Sequence, residues 1–128
     1  MFQQVTENIK ISVKTNYNGL VPHGQLNYHA FSYYITIENN SKETVQLTER
    51  YWNIYDSLKD TEFVEGEGVV GETPILTPNT TYNYTSNCFL TSTIGAMSGF
   101  YKMVNLKSTE EFLATIPTFQ LITTPVIN

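Results

Sequence analysis

A chain of 128 residues with 41% hydrophobic and 15% charged residues suits one folded domain, not a disordered or fibrous chain. Its net charge of −5, with no Lys/Arg cluster, excludes the electrostatic footprint of a nucleic-acid binder. No apolar run reaches membrane-spanning length, so no membrane insertion is expected, and the single cysteine, Cys88, excludes an internal disulfide.

The start, Met1-Phe2-Gln3-Gln4-Val5, lacks a basic and then apolar leader, so a cytoplasmic protein is expected. The Asn-x-Ser/Thr triplets at Asn39, Asn79 and Asn83 should then stay unglycosylated. Ile9, Ile11 and Val13 alternate with Lys10, Ser12 and Lys14, the period of a strand with one wet face. Asn16 to Asn27, with Gly19, Pro22 and Gly24, reads as a long loop holding His23. Phe31, Tyr33, Ile35 and Ile37 then share one face of a strand that stops at Asn39-Asn40-Ser41. Val45 and Leu47 start another, and Trp52 and Ile54 fall out of phase with them, which predicts a bulge near Thr48 to Arg50.

Asp56 to Asp60 reads as a turn, and Phe63-Val64 leads into Glu65-Gly66-Glu67-Gly68-Val69-Val70-Gly71-Glu72. Pro74 and Pro78 bracket Ile75-Leu76 and rule out a helix after the glycines. Thr81 to Leu90 forms a strand with Tyr82, Tyr84, Cys88 and Leu90 on one side. Met97, Tyr101 and Met103 mark the next, and Phe112, Ala114 and Ile116 the last, with Phe119 and Leu121 continuing past Pro117. Ser108 and Glu111 fit a capping box, but the run before Pro117 is too short for a helix and a turn is expected. About eight short strands with turns between them predict an all-β, single-domain antiparallel sandwich of fibronectin type III or immunoglobulin type.

Leu76-x-Pro78-x-Thr80-x-Tyr82 resembles the tyrosine corner of fibronectin type III domains, with Tyr82 in the tyrosine role and Tyr84 as the alternative. Longer matches run collinearly: Arg50-Tyr51-Trp52-x-Ile54, the Glu65 to Gly71 segment, Pro74-x-Leu76-x-Pro78 and Tyr84-Thr85-Ser86. Leu90-x-Thr, Gly95-x-Met97-x-Gly99-x-Tyr101-x-Met103 and Ile116-Pro117-x-Phe119-x-Leu121 follow. Together, from about Lys10 to Leu121, they are similar to the bacterial ApaG family. The resemblance implies a fibronectin-III-like sandwich, a cytoplasmic protein, and an association with cobalt resistance, magnesium efflux and diadenosine tetraphosphate hydrolysis. Related eukaryotic domains, attached to F-box and DNA-polymerase-interacting proteins, imply an adaptor role. Asn79 and Asn87 stand where the family usually has glycine, and both tolerate left-handed backbone.

Gly66-x-Gly68-x-x-Gly71 has the spacing of a pyrophosphate-binding turn. That chemistry needs a helix whose N-terminal amides meet the phosphate, which the prolines forbid. Glu65, Glu67 and Glu72 would also repel an anion, and a close like-charge pair costs about 1 kcal/mol even in water. The expectation is that the glycines permit a bulge or close chain approach in an edge strand. With Asp56, Asp60 and Glu62 these glutamates make half of the chain's twelve carboxylates. Glu65 and Glu67 share a side in an extended strand and could offer oxygen ligands to Mg²⁺ or Co²⁺, although a solvated sheet edge has the same composition.

No nucleophile–base pair is evident, so no enzyme is expected. Cys88 reads as inert core, His23 as solvated and His29 as a packed, hydrogen-bonded histidine. If Tyr33, Trp52 and Met97 face inward, Tyr34, Tyr51, Tyr55 and Phe100 face outward and are candidate anchors for a protein partner or a second copy of the chain. Cross-strand aromatic ladders would use the same residues. The reading is a non-catalytic interaction module with no required cofactor. The alternative is direct binding of Mg²⁺, Co²⁺ or a nucleotide at Glu65, Gly66, Glu67, Gly68 and Gly71.

Overall fold

The computed structural model describes residues 1–123 and contains strands and turns throughout. In chain order the strands are β1 (Phe2–Thr6), β2 (Ile9–His23), β3 (Leu26–Asn39), β4 (Val45–Asp56) and β5 (Glu62–Glu67). They continue as β6 (Ile75–Leu76), β7 (Thr80–Leu90), β8 (Ile94–Asn105) and β9 (Glu111–Ile122). One sheet has the order β1-β2-β3-β7 and the other β5-β4-β8-β9, all antiparallel, with β6 on the same side of β4 as β5. Among the described residues no helix is long and apolar enough to cross a membrane.

The two inner faces follow the period-two pattern and form one core. Ile11, Ile35, Ile37 and Leu90 of the first sheet meet Leu47, Met97, Tyr101 and Phe119 of the second, all essentially without solvent contact. Trp52 packs edge-on against Tyr33, Tyr101 and Phe119, with ring centroids 5.5, 6.3 and 5.9 Å away. The predicted bulge exists. Pairing of β4 with β8 shifts between Leu47 and Glu49, so Val45 and Leu47 and then Trp52 can all point inward. A second shift, between Met97 and Gly99, places Pro117 and Thr118 in a bulge of β9. That slip moves the inward phase from Ala114 and Ile116 to Phe119 and Leu121.

The segment Asn16 to Asn27 is not a loop. β2 and β3 run through it as a long hairpin closed by the pair His23↔Leu26. Each breaker has a place there. Gly19, at φ +98°, sits at the shift between Tyr17 and Gly19, and Gly24, at φ +66°, supplies the first turn position. Pro22 lies beyond the reach of β1, where β2 has a neighbour on one side and a missing N–H costs nothing. His23 therefore ends a strand, while His29 Nδ1 lies 2.8 Å from the Tyr17 hydroxyl, packed as expected. The ninth strand, β1, was not foreseen. It pairs with β2 through a turn at Glu7 and Asn8, both at positive φ. Residues 106–108 form a turn, as expected before the last strand.

Asn39 is fully buried and every polar atom of its side chain is used. Its amide donates to the carbonyls of Glu43 and Leu76 at 2.8 and 2.9 Å, and its oxygen accepts from Ser41 N and Oγ. This asparagine ties the β3–β4 turn to β6 and is closed to any modifying group. Asn79 adopts the left-handed region at φ +62°. Asn87 instead lies within β7, where its Oδ1 accepts from Ser32 Oγ at 3.2 Å, so the left-handed tolerance expected of it goes unused.

Candidate functional site

The glycine-rich stretch is a strand followed by a tight hairpin. β5 carries Glu65, Gly66 and Glu67 antiparallel to Tyr51, Arg50 and Glu49 of β4. The chain then reverses between Val69 and Glu72, which exchange hydrogen bonds of 2.8 and 2.9 Å. The turn residues Val70 and Gly71 both have positive φ, at 43° and 81°. Gly68 has φ +61°, and a methyl group there would lie 2.0 Å from the carbonyl oxygen of Glu72. So Gly68 serves close chain approach and Gly71 the turn. The amides of Gly68, Val69 and Glu72 donate to Thr48 O, Glu72 O and Val69 O, and are already spent on the fold.

What the loop offers instead is carbonyl oxygen, and Arg50 takes it. Arg50 is the chain's only arginine. Its Nη1 donates to the carbonyls of Glu67 and Gly68, both at 2.9 Å. The guanidinium lies flat over Gly66, where a Cβ would stand 2.9–3.0 Å from Nη2, Cζ and Nη1. Gly66 is thus a seat for a planar cation. Among the described residues no carboxylate comes within ion-pairing distance of Arg50, and its Nε and Nη2 have no protein acceptor.

Arg50 lines a cleft of about 360 Å³ between the edges of the two sheets, β5 on one side and β7 on the other. Trp52, Ile54, Val64 and Met97 supply apolar walls, and Tyr33, Ser86 and Cys88 face in from the opposite sheet. Burial raises the Tyr33 phenol above its ordinary value, against the lowering effects of the Ser86 hydroxyl and the Arg50 charge. Burial also pushes the Cys88 thiol up to about 11, helped by the charges of Glu62 and Asp56. Burial and these charges favour the protonated thiol at neutral pH. Tyr84 and Tyr101 join their hydroxyls in the adjoining core, and burial raises both phenols.

The acidic residues have separate positions and partners. Glu65 and Glu67 are solvent-exposed on β5. Glu72 Oε2 accepts from the Tyr82 hydroxyl at 2.7 Å, and burial together with that carboxylate pushes the phenol up to about 12. Tyr82 thus reaches back to the preceding loop, in the sense expected of a corner tyrosine, but to a side chain. Asp56 ties the end of β4 to the β7–β8 turn. Its Oδ2 accepts from Thr91 N and Oγ1, both at 2.7 Å, and Oδ1 from Leu58 N at 3.2 Å. Burial alone would raise the Asp56 carboxyl, yet these bonds and the Ser92 hydroxyl outweigh it and hold it at about 2. Among the described residues no group of three or more His, Cys, Asp or Glu side chains is placed to hold a metal ion.

The four aromatic candidates fall on two faces. Tyr34, 45% exposed, lies outside the first sheet between Lys14 and Thr85. Tyr51 and Phe100 are directly opposed on the second sheet and stack with centroids 4.7 Å apart, the cross-strand ladder pair. Tyr55 is exposed on the same outer face, and Phe63 and Leu113 join it at 77% and 50% exposure. Alternation brings these residues to one side, although no local pattern singles out Phe63 or Leu113. Arg50 was equally unmarked as a site residue. Its signals were being the sole arginine in an acidic chain and opening the Arg50-Tyr51-Trp52-x-Ile54 match.

These features define a small all-β protein, a nine-stranded antiparallel sandwich with a polar cleft at one lateral edge. The ApaG domain profile matches residues 22–105. Protein ApaG of Brucella suis biovar 1 is 40% identical over 121 residues, 94% of this chain and 92% of that protein. Protein ApaG of Shewanella frigidimarina is 45% identical over 118 residues, 92% and 93% of the two chains. An X-ray structure of a structural-genomics target superposes with a TM-score of 0.86 at 41% identity, covering 94% of this chain and 90% of that one. The crystal structure of the putative ApaA protein from Bordetella pertussis gives 0.81 at 33%, covering 92% and 95%. The chain belongs to the ApaG family.

Proposed function

We propose that this ApaG protein is a non-catalytic protein-interaction module acting in the cytoplasm. Its link to cobalt resistance and magnesium efflux runs through the partner it binds. The observation that carries this reading is the outer face of the β5-β4-β8-β9 sheet. The stacked Tyr51–Phe100 pair, Tyr55, Phe63 and Leu113 stand there together. The ion pairs Lys102–Glu49 at 3.3 Å and Lys102–Glu111 at 3.2 Å border it. Apolar anchors with a charged rim are the usual anatomy of a recognition patch.

The test compares Phe63→Ser with Phe100→Ser, and with Tyr34→Ser on the opposite sheet as the control. The expected result is a co-purifying protein that both second-sheet variants lose and the control retains, with restored cobalt tolerance following the same division. Retention of the partner by both second-sheet variants refutes the reading. So does heat on titration with Mg²⁺, Co²⁺ or ADP that vanishes when Glu65 and Glu67 become Gln, since binding would then belong to the glycine hairpin.

A further inference from the structure

We propose that the cleft between β5 and β7 is a binding site for a monoanionic carboxylate, held by Arg50. A guanidinium at a cleft wall is ordinarily neutralised by Asp or Glu, and among the described residues none pairs with Arg50. Two backbone carbonyls fix one nitrogen and Gly66 fixes the plane, so the remaining fork is pre-organised and has no acceptor among the described residues. The hydroxyls of Ser86 and Tyr33 line the same cleft and can complete the donor set. Trp52, Val64 and Met97 provide an apolar bed for the rest of the ligand.

The charge count selects the anion. Arg50 is the one cation in the cleft, and Glu62 lines its far part, four positions along β5 from Gly66. Arg50 can pair with one negative charge, whereas the second charge of a phosphate would have no cation to pair with and would be repelled by Glu62. A volume of about 360 Å³ takes one aromatic or branched acid, free in solution or at the end of a protein chain. This site is separate from the outer aromatic face, so each can fail without the other.

The test is an amide-resolved NMR titration of the whole chain with phenylacetate, with phenylacetamide as the neutral control. A short peptide ending in Phe, with a free or an amidated C-terminus, forms the second arm. Phenylacetate should shift the amides of Val64, Ser86 and Cys88, while phenylacetamide should not. Arg50→Gln should weaken binding at least tenfold and Arg50→Lys severalfold, because lysine lacks the fork. Ser86→Ala leaves the hairpin untouched and should weaken binding two- to fivefold, which guards against loop disruption in the arginine variants. Competition by the free-acid peptide assigns the carboxylate to a protein terminus, and competition by small acids alone assigns it to a metabolite. Shifts that map elsewhere overturn the proposal, as do equal responses to acid and amide, or no response to any carboxylate.

Discussion

If Gly68 and Gly71 shape backbone, substituting them should cost different amounts, in an order set by geometry. Gly71 has φ +81° and open space where a side chain would go, so Gly71→Ala suffers the left-handed penalty alone, about 1 kcal/mol. Gly68 has φ +61° and the Glu72 carbonyl 2.0 Å from the added methyl, a backbone contact that no rotamer can relieve. The chain must separate there, breaking the Val69–Glu72 pair of hydrogen bonds and loosening the buried Val69. At about 1 kcal/mol per hydrogen bond on top of the φ term, Gly68→Ala should cost about 3 kcal/mol. Urea unfolding followed by tryptophan fluorescence reads this directly, because Trp52 is the chain's only tryptophan and is buried in the core. A gap of about 2 kcal/mol between the variants corresponds to a midpoint difference of roughly 1 M urea. Equal midpoints for the two variants would refute the assignment of Gly68 to close chain approach.

Two further changes test neighbouring parts of the same framework. Val70 is a β-branched residue at φ +43° in the first turn position and is largely exposed, so Val70→Asn should stabilise the chain by about 1 kcal/mol. A lower unfolding midpoint would contradict this. Asp56 titrates at about 2 in the fold against an ordinary value near 3.8, so its contribution is present above pH 4 and lost as pH falls toward 2. That depression corresponds to about 2.5 kcal/mol before screening, and solvent access to the carboxylate brings it to about 1 kcal/mol. Asp56→Asn should therefore be less stable than the parent at pH 7, and their stability curves should converge near pH 2. Parallel curves would remove Asp56 from the account.

Where side chains alternate on a half-buried strand, the pattern carries the fold, and the runs at Ile9 to Val13, Phe31 to Ile37 and Tyr82 to Leu90 all proved to be strands. The bulge at Thr48 was legible because a bulge must shift the apolar phase, and Leu47 and Trp52 show that shift. The arm from Asn16 to Asn27 was not, because Gly19, Pro22 and Gly24 weaken a strand only where the ladder needs their donors or their φ. Here a bulge, a one-sided strand and a turn accommodate them. β1 was not legible because Phe2-Gln3-Gln4-Val5-Thr6 has no clean alternation, and its pairing depends on a turn at Glu7-Asn8. The cleft depends on which strands end up across from one another. Arg50, Gly66 and Ser86 belong to three strands and two sheets, and no local pattern announces such a meeting.

The two lateral sides of the sandwich are built differently, and the difference accounts for where a site can form. At one side β1 closes over β9: Thr6 Oγ1 accepts from Thr115 N at 3.2 Å, and the rings of Phe2 and Phe119 lie 6.3 Å apart. At the other side β7 and β5 face each other across the cleft, with the small Ser86 in its lining and Gly66 under the Arg50 guanidinium. A larger apolar side chain at Ser86 would bury more surface, at about 25 cal/mol per Å². The chain instead spends its only arginine at this edge and removes the one Cβ that would displace it. Two carbonyl bonds account for one nitrogen of that arginine, and the small Ser86 leaves room in front of the rest, so the proposed carboxylate would meet an open fork at this edge.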